Sequence, residues 1–211
     1  MRINRWLFKP EKTSIFVILI GICINLAGRQ LTNLITVPFW FDAIGTIYSA
    51  AVLGPVAGMI VGFISNLSYG LLINPLSVVY VIVNMLIGLY IGIFYSEENN
   101  DFFQTMIVAM ALCMITISVC TPINIIVYDG YVGNKWGNAC VAMLQNGSTG
   151  PVSIVNSLLG EIFVDFPDKV LSMFIANGLV IISKKTFLNK SKIEEKTNEK
   201  NNEKTNEKSN R

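Results

Sequence analysis

The sequence predicts an all-α integral membrane protein with six transmembrane helices and both termini in the cytoplasm. Three observations lead there. Of 211 residues, 52% are hydrophobic and only 14% charged, with a mean hydropathy of +0.53, far from an ordinary soluble domain. The cations gather at the chain ends: Arg2, Arg5, Lys9 and Lys12 precede the first apolar run, nine Lys/Arg lie from Lys184 onward, and Arg29, Lys135 and Lys169 alone remain between. By the positive-inside rule both ends are cytoplasmic. Finally, Gly54, Gly58, Gly62, Asn66 and Gly70 are four apart, a step that stays on one helical face and lets two backbones approach closely in lipid.

Residues 1–12 form a basic cytoplasmic N-terminus. The first apolar segment, roughly 13–35, lacks a small-residue cleavage site, so it reads as a retained helix rather than a signal peptide. Asn25, Arg29 and Asn33 make a polar stripe on it, with Gln30 beside them. Pro38 marks a boundary. The second segment, about 41–53, is short for a span, and Gly54-Pro55 turns the chain into a third, about 55–73. Asn74-Pro75 breaks again, and a fourth helix over about 76–95 carries Tyr80, Asn84, Gly88 and Gly92 at steps of four.

A fifth helix, about 102–128, ends in Pro122, Asn124 and Tyr128. The long polar interval from Asp129 to Gly150 mixes Gly, Asn and aromatics around a short apolar piece, 139–144, which suits a short surface helix. The sixth span, from about Pro151 to Ser183, is long enough to tilt or to bend at Pro167. The membrane domain thus covers 13–188. Residues 189–211, with TNEK-NNEK-TNEK repeats, hold too little apolar surface to repay ordering and read as a disordered cytoplasmic tail.

Composition excludes several chemistries. With no histidine, and with Cys23, Cys113, Cys120 and Cys140 forming no CxxC pair, neither a zinc site nor histidine-based acid–base catalysis is expected. No catalytic set, metal or cofactor is predicted, and the small net charge gives no reason to expect nucleic acid. What remains is polar and aromatic groups toward the outer helix ends: Asn33, Asn66, Tyr69, Tyr80, Asn84, Asn124, Tyr128 and Asn156, with Asn134, Trp136 and Gln145 in the long loop. Amides in a bilayer need partners. Each residue fits either an interfacial anchor or interhelical hydrogen bond, or, as a set, a pocket for a neutral planar heterocycle read by stacking and amide hydrogen bonds.

Glu161, Asp165, Asp168 and Lys169 share one helical face. They read as an ion-paired brace near the cytoplasmic half, or as a coupling-ion site if they face a cavity. Arg29 and Asp42 are a second pair, across the first outer loop, or a ligand anchor.

The stretch FDAIGTIYSAAVLGPVAGMIVGFISNLSYGL, Phe41 to Leu71, resembles the helix two to three signature of substrate-binding (S) components of energy-coupling factor transporters. VDFPDKVLSMFIANGLV, Val164 to Val180, is similar to the final helix of one branch of that group. The resemblance spans about 1–190. It implies an S-component-like bundle in the cell membrane that binds a vitamin or related micronutrient from outside. It also implies a membrane scaffold (T) subunit and two ATPase subunits as partners, which hydrolyse the ATP; this chain has no GxxxxGK[ST] loop. In that family helices one to three face the scaffold, often through Ala-x-x-x-Ala on helix one. Here Gly21-x-x-x-Asn25 and Cys23-x-x-x-Ala27 stand instead, so Gly21, Cys23, Ala27, Gly54, Gly58 and Gly62 are the docking residues expected. A sensor input module and an ion-coupled carrier are the other readings; no output domain follows residue 183 in this sequence. Riboflavin, thiamine, folate, a pyridoxine-like compound and a nucleobase precursor all suit the polar set.

Overall fold

A computed structural model describes residues 12–95, 101–147 and 150–209, with side chains as far as Lys185. The basic residues 2–9 fall outside the described ones. Every described element is a helix: α1 Lys12–Ile35, α2 Ile44–Leu53, α3 Pro55–Leu72, a 3₁₀ turn Pro75–Tyr80, α4 Val81–Phe94, α5 Phe102–Val127, α6 Lys135–Gln145 and α7 Ile154–Ser209. Five stretches are long and apolar enough to cross a membrane: Lys12–Ile35, Pro55–Leu72, Pro75–Phe94, Phe102–Val127 and Ile154–Lys185. This fits a helical multi-pass membrane protein. At ten residues α2 rises only about 15 Å, half the hydrocarbon thickness.

The chain divides into two units, Met1–Ala176 and Asn177–Arg211. In the first, local chemistry sets the helix ends. Gly54 turns at φ 98° with Pro55 at the first position of α3, the place where a missing N–H is harmless. Asn74 caps the 3₁₀ turn by accepting from the Leu76 N–H at 3.2 Å, and Asp101 caps α5 by accepting from Gln104 N–H at 2.8 Å.

Small residues decide the packing of α3 on α4. A Cβ on Gly88 would come 2.4 Å from the Gly58 carbonyl carbon, one on Gly62 2.5 Å from the Asn84 carbonyl oxygen, and one on Gly92 2.3 Å from Pro55. Those residue pairs step in opposite directions, so the helices are antiparallel and nearly in backbone contact. A Cβ on Gly21 of α1 would similarly meet Ser49 Oγ at 2.4 Å and the Gly45 carbonyl at 2.9 Å. Ile18, Ala57 and Val61 form an apolar core beside this contact.

These contacts correct the expected docking face. Gly21, Gly58 and Gly62 are covered from within the chain, because the four-residue steps on α3 and α4 complement each other, and Gly54 is a buried turn residue. Cys23 and Ala27 are exposed on α1.

In the second unit, the backbone of α7 is helical to Ser209 where disorder is expected from the composition. Growth from an existing helix avoids the nucleation penalty.

Candidate functional site

The site grows from α4. Positions 80, 83, 84 and 87 are one helical face, and Tyr80, Val83, Asn84 and Ile87 all line a cavity of about 70 Å³. Arg29 of α1, Trp40 and Asp42 of the following loop, and Asn66 of α3 line it too. So do Asn74, Cys120, Tyr128, Val132 and Gly133, together with Glu161, Asp165 and Lys169 of α7. These come from the C-terminal halves of α1, α3 and α5, from the N-terminal half of α4, from positions 161–169 of α7 and from the connecting loops, so several helices deliver polar groups to one place. A wider groove between Met59, Phe63, Leu67 and the outer face of α4 is lined only by apolar side chains and suits lipid tails rather than a polar ligand.

One wall of the cavity is a continuous hydrogen-bonded chain. Asn66 Nδ2 donates to the Tyr80 carbonyl at 3.0 Å, which leaves Asn66 Oδ1 to accept from Asn84 Nδ2 at 3.1 Å. The same Asn84 nitrogen donates to the Asp42 carbonyl at 3.0 Å. With acceptors fixing the nitrogen, the orientation of the Asn84 amide is determined. Its Oδ1 is then buried with no donor among the described residues. Tyr80 O–H donates to Asn124 Oδ1 at 2.5 Å, and Asn124 Nδ2 donates to Glu161 at 2.7 Å. The Tyr80 and Tyr128 rings lie 6.5 Å apart and 26° from parallel.

Charge is concentrated around this wall. Arg29 donates to Asp42 at 3.1 Å and to Ser77 Oγ at 3.0 Å, with its guanidinium 4.2 Å from the Tyr69 ring centroid, a cation–π contact. Lys169 Nζ lies 2.7 Å from Asp165 and 2.6 Å from Asp168, and Thr116 donates to the second Asp165 oxygen. Asp168 also accepts from the backbone N–H groups of Trp40 and Phe41 at 3.0 and 2.9 Å. That anchors the loop between α1 and α2, in which Thr36 and Phe41 hold left-handed φ of 52° and 49°. Such non-glycine conformations cost about 1–3 kcal/mol each and persist where surroundings impose them.

The expected ion pairing on the α7 face is present for Asp165, Asp168 and Lys169, while Glu161 joins no cation among the described residues. Glu161 is only two turns into α7, which brings it, Asp165 and Lys169 to the same cavity as Asn84. Of the polar residues expected at a pocket, Asn66, Tyr80, Asn84 and Tyr128 line it. Asn124 lies behind, joining Tyr80 to Glu161. Asn33 donates to Tyr69 O–H at 2.8 Å, so this pair supports Arg29 from outside the lining.

The long-loop residues have structural tasks. Asn134 is the N-cap of α6, accepting from Trp136 N–H at 2.8 Å, and Trp136 Nε1 donates to the Thr36 carbonyl at 2.9 Å. Gln145 accepts from Tyr131 O–H and donates to the Gly150 carbonyl, both at 3.2 Å. Asn156 sits in the first turn of α7, where its backbone N–H donates to Ser153 Oγ at 3.1 Å. None of these four lines the cavity.

Trp40, Asn74, Cys120, Val132 and Gly133 are lining residues that sequence reasoning missed. Trp40 had a signal, standing two positions before Asp42 in an aromatic run after Pro38. Val132 and Gly133 had none, since only the fold of the 128–134 turn brings them in. No family model, curated protein or solved structure matches the chain.

Proposed function

We propose that this chain is the membrane substrate-binding subunit of an ATP-driven uptake system for a vitamin or related micronutrient, an S component of the energy-coupling factor type. The observation that carries the reading is the unsatisfied Asn84 Oδ1 in a polar cavity among apolar helices. A buried acceptor without a donor costs about 1–3 kcal/mol, and a ligand N–H or O–H removes that penalty. The sequence resemblance over Phe41 to Leu71 supplies the family. In this reading six passes put both termini in the cytoplasm, with α2 and the loop before it making the shortest pass. The scaffold would then meet exposed Cys23 and Ala27 rather than the α3 glycines.

A cavity of about 70 Å³ is smaller than the roughly 300–1,000 Å³ that encloses a drug-sized ligand. Binding a vitamin-sized molecule therefore requires the lining to open.

One observation favours a second reading. Glu161 and Asp165 line the cavity, as an ion-coupled carrier requires. Proteoliposomes separate the two. Uptake that needs the scaffold and ATPase subunits, isolated on the tagged chain, and ATP inside supports the subunit. Uptake by the chain alone, driven by a proton or sodium gradient, replaces it with the carrier.

A further inference from the structure

Around the cavity two cations face four carboxylates. Arg29 pairs with Asp42, and Lys169 is shared by Asp165 and Asp168. Glu161 is left over. It is 3% exposed, and no Lys or Arg among the described residues lies within salt-bridge distance of it. Its hydrogen-bond partner is a neutral donor, the Asn124 amide at 2.7 Å. An ionised carboxylate in such surroundings is costly unless a cation meets it, the alternative being to take up a proton, and a cationic ligand would favour the ionised form. Asn84, whose Oδ1 has no donor among the described residues, lines the same cavity, so a carboxylate without a cation and an amide oxygen without a donor belong to one wall.

We propose that the occupant is a positively charged nitrogen compound, an aromatic ring bearing an ammonium or cationic ring nitrogen, whose charge pairs with Glu161 and whose second N–H or O–H donates to Asn84 Oδ1. This deepens the reading of the cavity as a micronutrient site and rests on it. It replaces the neutral heterocycle expected from amides and aromatics alone. Trp40, Tyr80 and Tyr128 supply ring faces suited to a cationic aromatic body. The Arg29 and Lys169 charges are already neutralised by carboxylates, so they give an anionic ligand no free partner.

The test is equilibrium dialysis of the purified full chain in detergent against an equimolar mixture of thiamine, pyridoxamine, pyridoxine, riboflavin, folate and pantothenate, quantified by mass spectrometry. The expected result is retention of a cationic member, thiamine or pyridoxamine, above all neutral and anionic ones. Glu161→Gln keeps the side-chain size and an acceptor for Asn124, so it should lower that retention about tenfold or more. The ratio of pyridoxamine to pyridoxine retained should fall with it, a change that unfolding alone does not produce. Retention led by riboflavin, folate, pantothenate or pyridoxine, retention of none, or a Glu161→Gln protein with unchanged cation preference overturns the proposal. Cation retention combined with uptake that needs no ATPase would leave the ligand assignment standing while removing the energy-coupling reading.

Discussion

Asn66 fixes Asn84: the Asn66 amide is oriented by the Tyr80 carbonyl, and its oxygen then accepts from Asn84 Nδ2 at 3.1 Å. Two residues from different helices thus act as one unit in the cavity wall. A double-mutant cycle with Asn66→Ala and Asn84→Ala, read by thermal unfolding in detergent, should give a coupling of about 0.6–1.7 kcal/mol, the range for hydrogen bonds between membrane helices. Additive effects would remove the unit.

The α3/α4 contact predicts a folding defect rather than a docking defect. Gly58→Leu and Gly88→Leu each force a side chain into the opposing backbone, and overpacking of this kind costs about 1–3 kcal/mol or more. Both should lower the unfolding temperature and reduce the monodisperse fraction on size exclusion. Cys23→Leu and Ala27→Leu, at exposed positions, should leave both unchanged. If the glycine variants are as stable as the parent, the close contact is wrong.

This is also where sequence and structure divide most clearly. The four-residue steps 54/58/62/66/70 and 80/84/88/92 were both legible, and each does form a helical face. Spacing alone does not say which face meets which, so a contact inside the chain read as a surface for a partner. The polar ends of α3, α4 and α5 were legible as a pocket for a similar reason, since buried amides in apolar runs demand partners. Asn134, Trp136 and Gln145 carry the same residue types but serve as a cap and loop braces, because a solvated loop satisfies amides locally. Glu161 and Asp165 were legible as one face. Their level was not, because the start of α7 at Ile154 sets it.

Asp168 should control the loop before α2. It holds the Trp40 and Phe41 N–H groups, so Asp168→Ala releases two backbone donors and leaves Lys169 with one carboxylate. Hydrogen exchange at the Trp40 and Phe41 amides should accelerate well before exchange in the middle of α3 changes. Equal acceleration throughout would indicate general loosening instead.

The loop residues offer the matching control. Asn134→Ala removes a cap worth about 1 kcal/mol, and Gln145→Ala removes two long hydrogen bonds. Trp136→Phe deletes the donor to Thr36. All three should lower stability modestly and leave retention of small molecules in dialysis unaltered. A tenfold loss of retention in any one of them would bring the long loop into the site.

Mass spectrometry of the small molecules that co-purify with the chain and with Asn84→Ala tests the binding claim most directly. The parent should carry a defined small molecule near one per chain, and the variant should lose it while keeping the same elution profile. An empty parent, or a variant that carries the same molecule at the same level, would contradict a binding site built around Asn84.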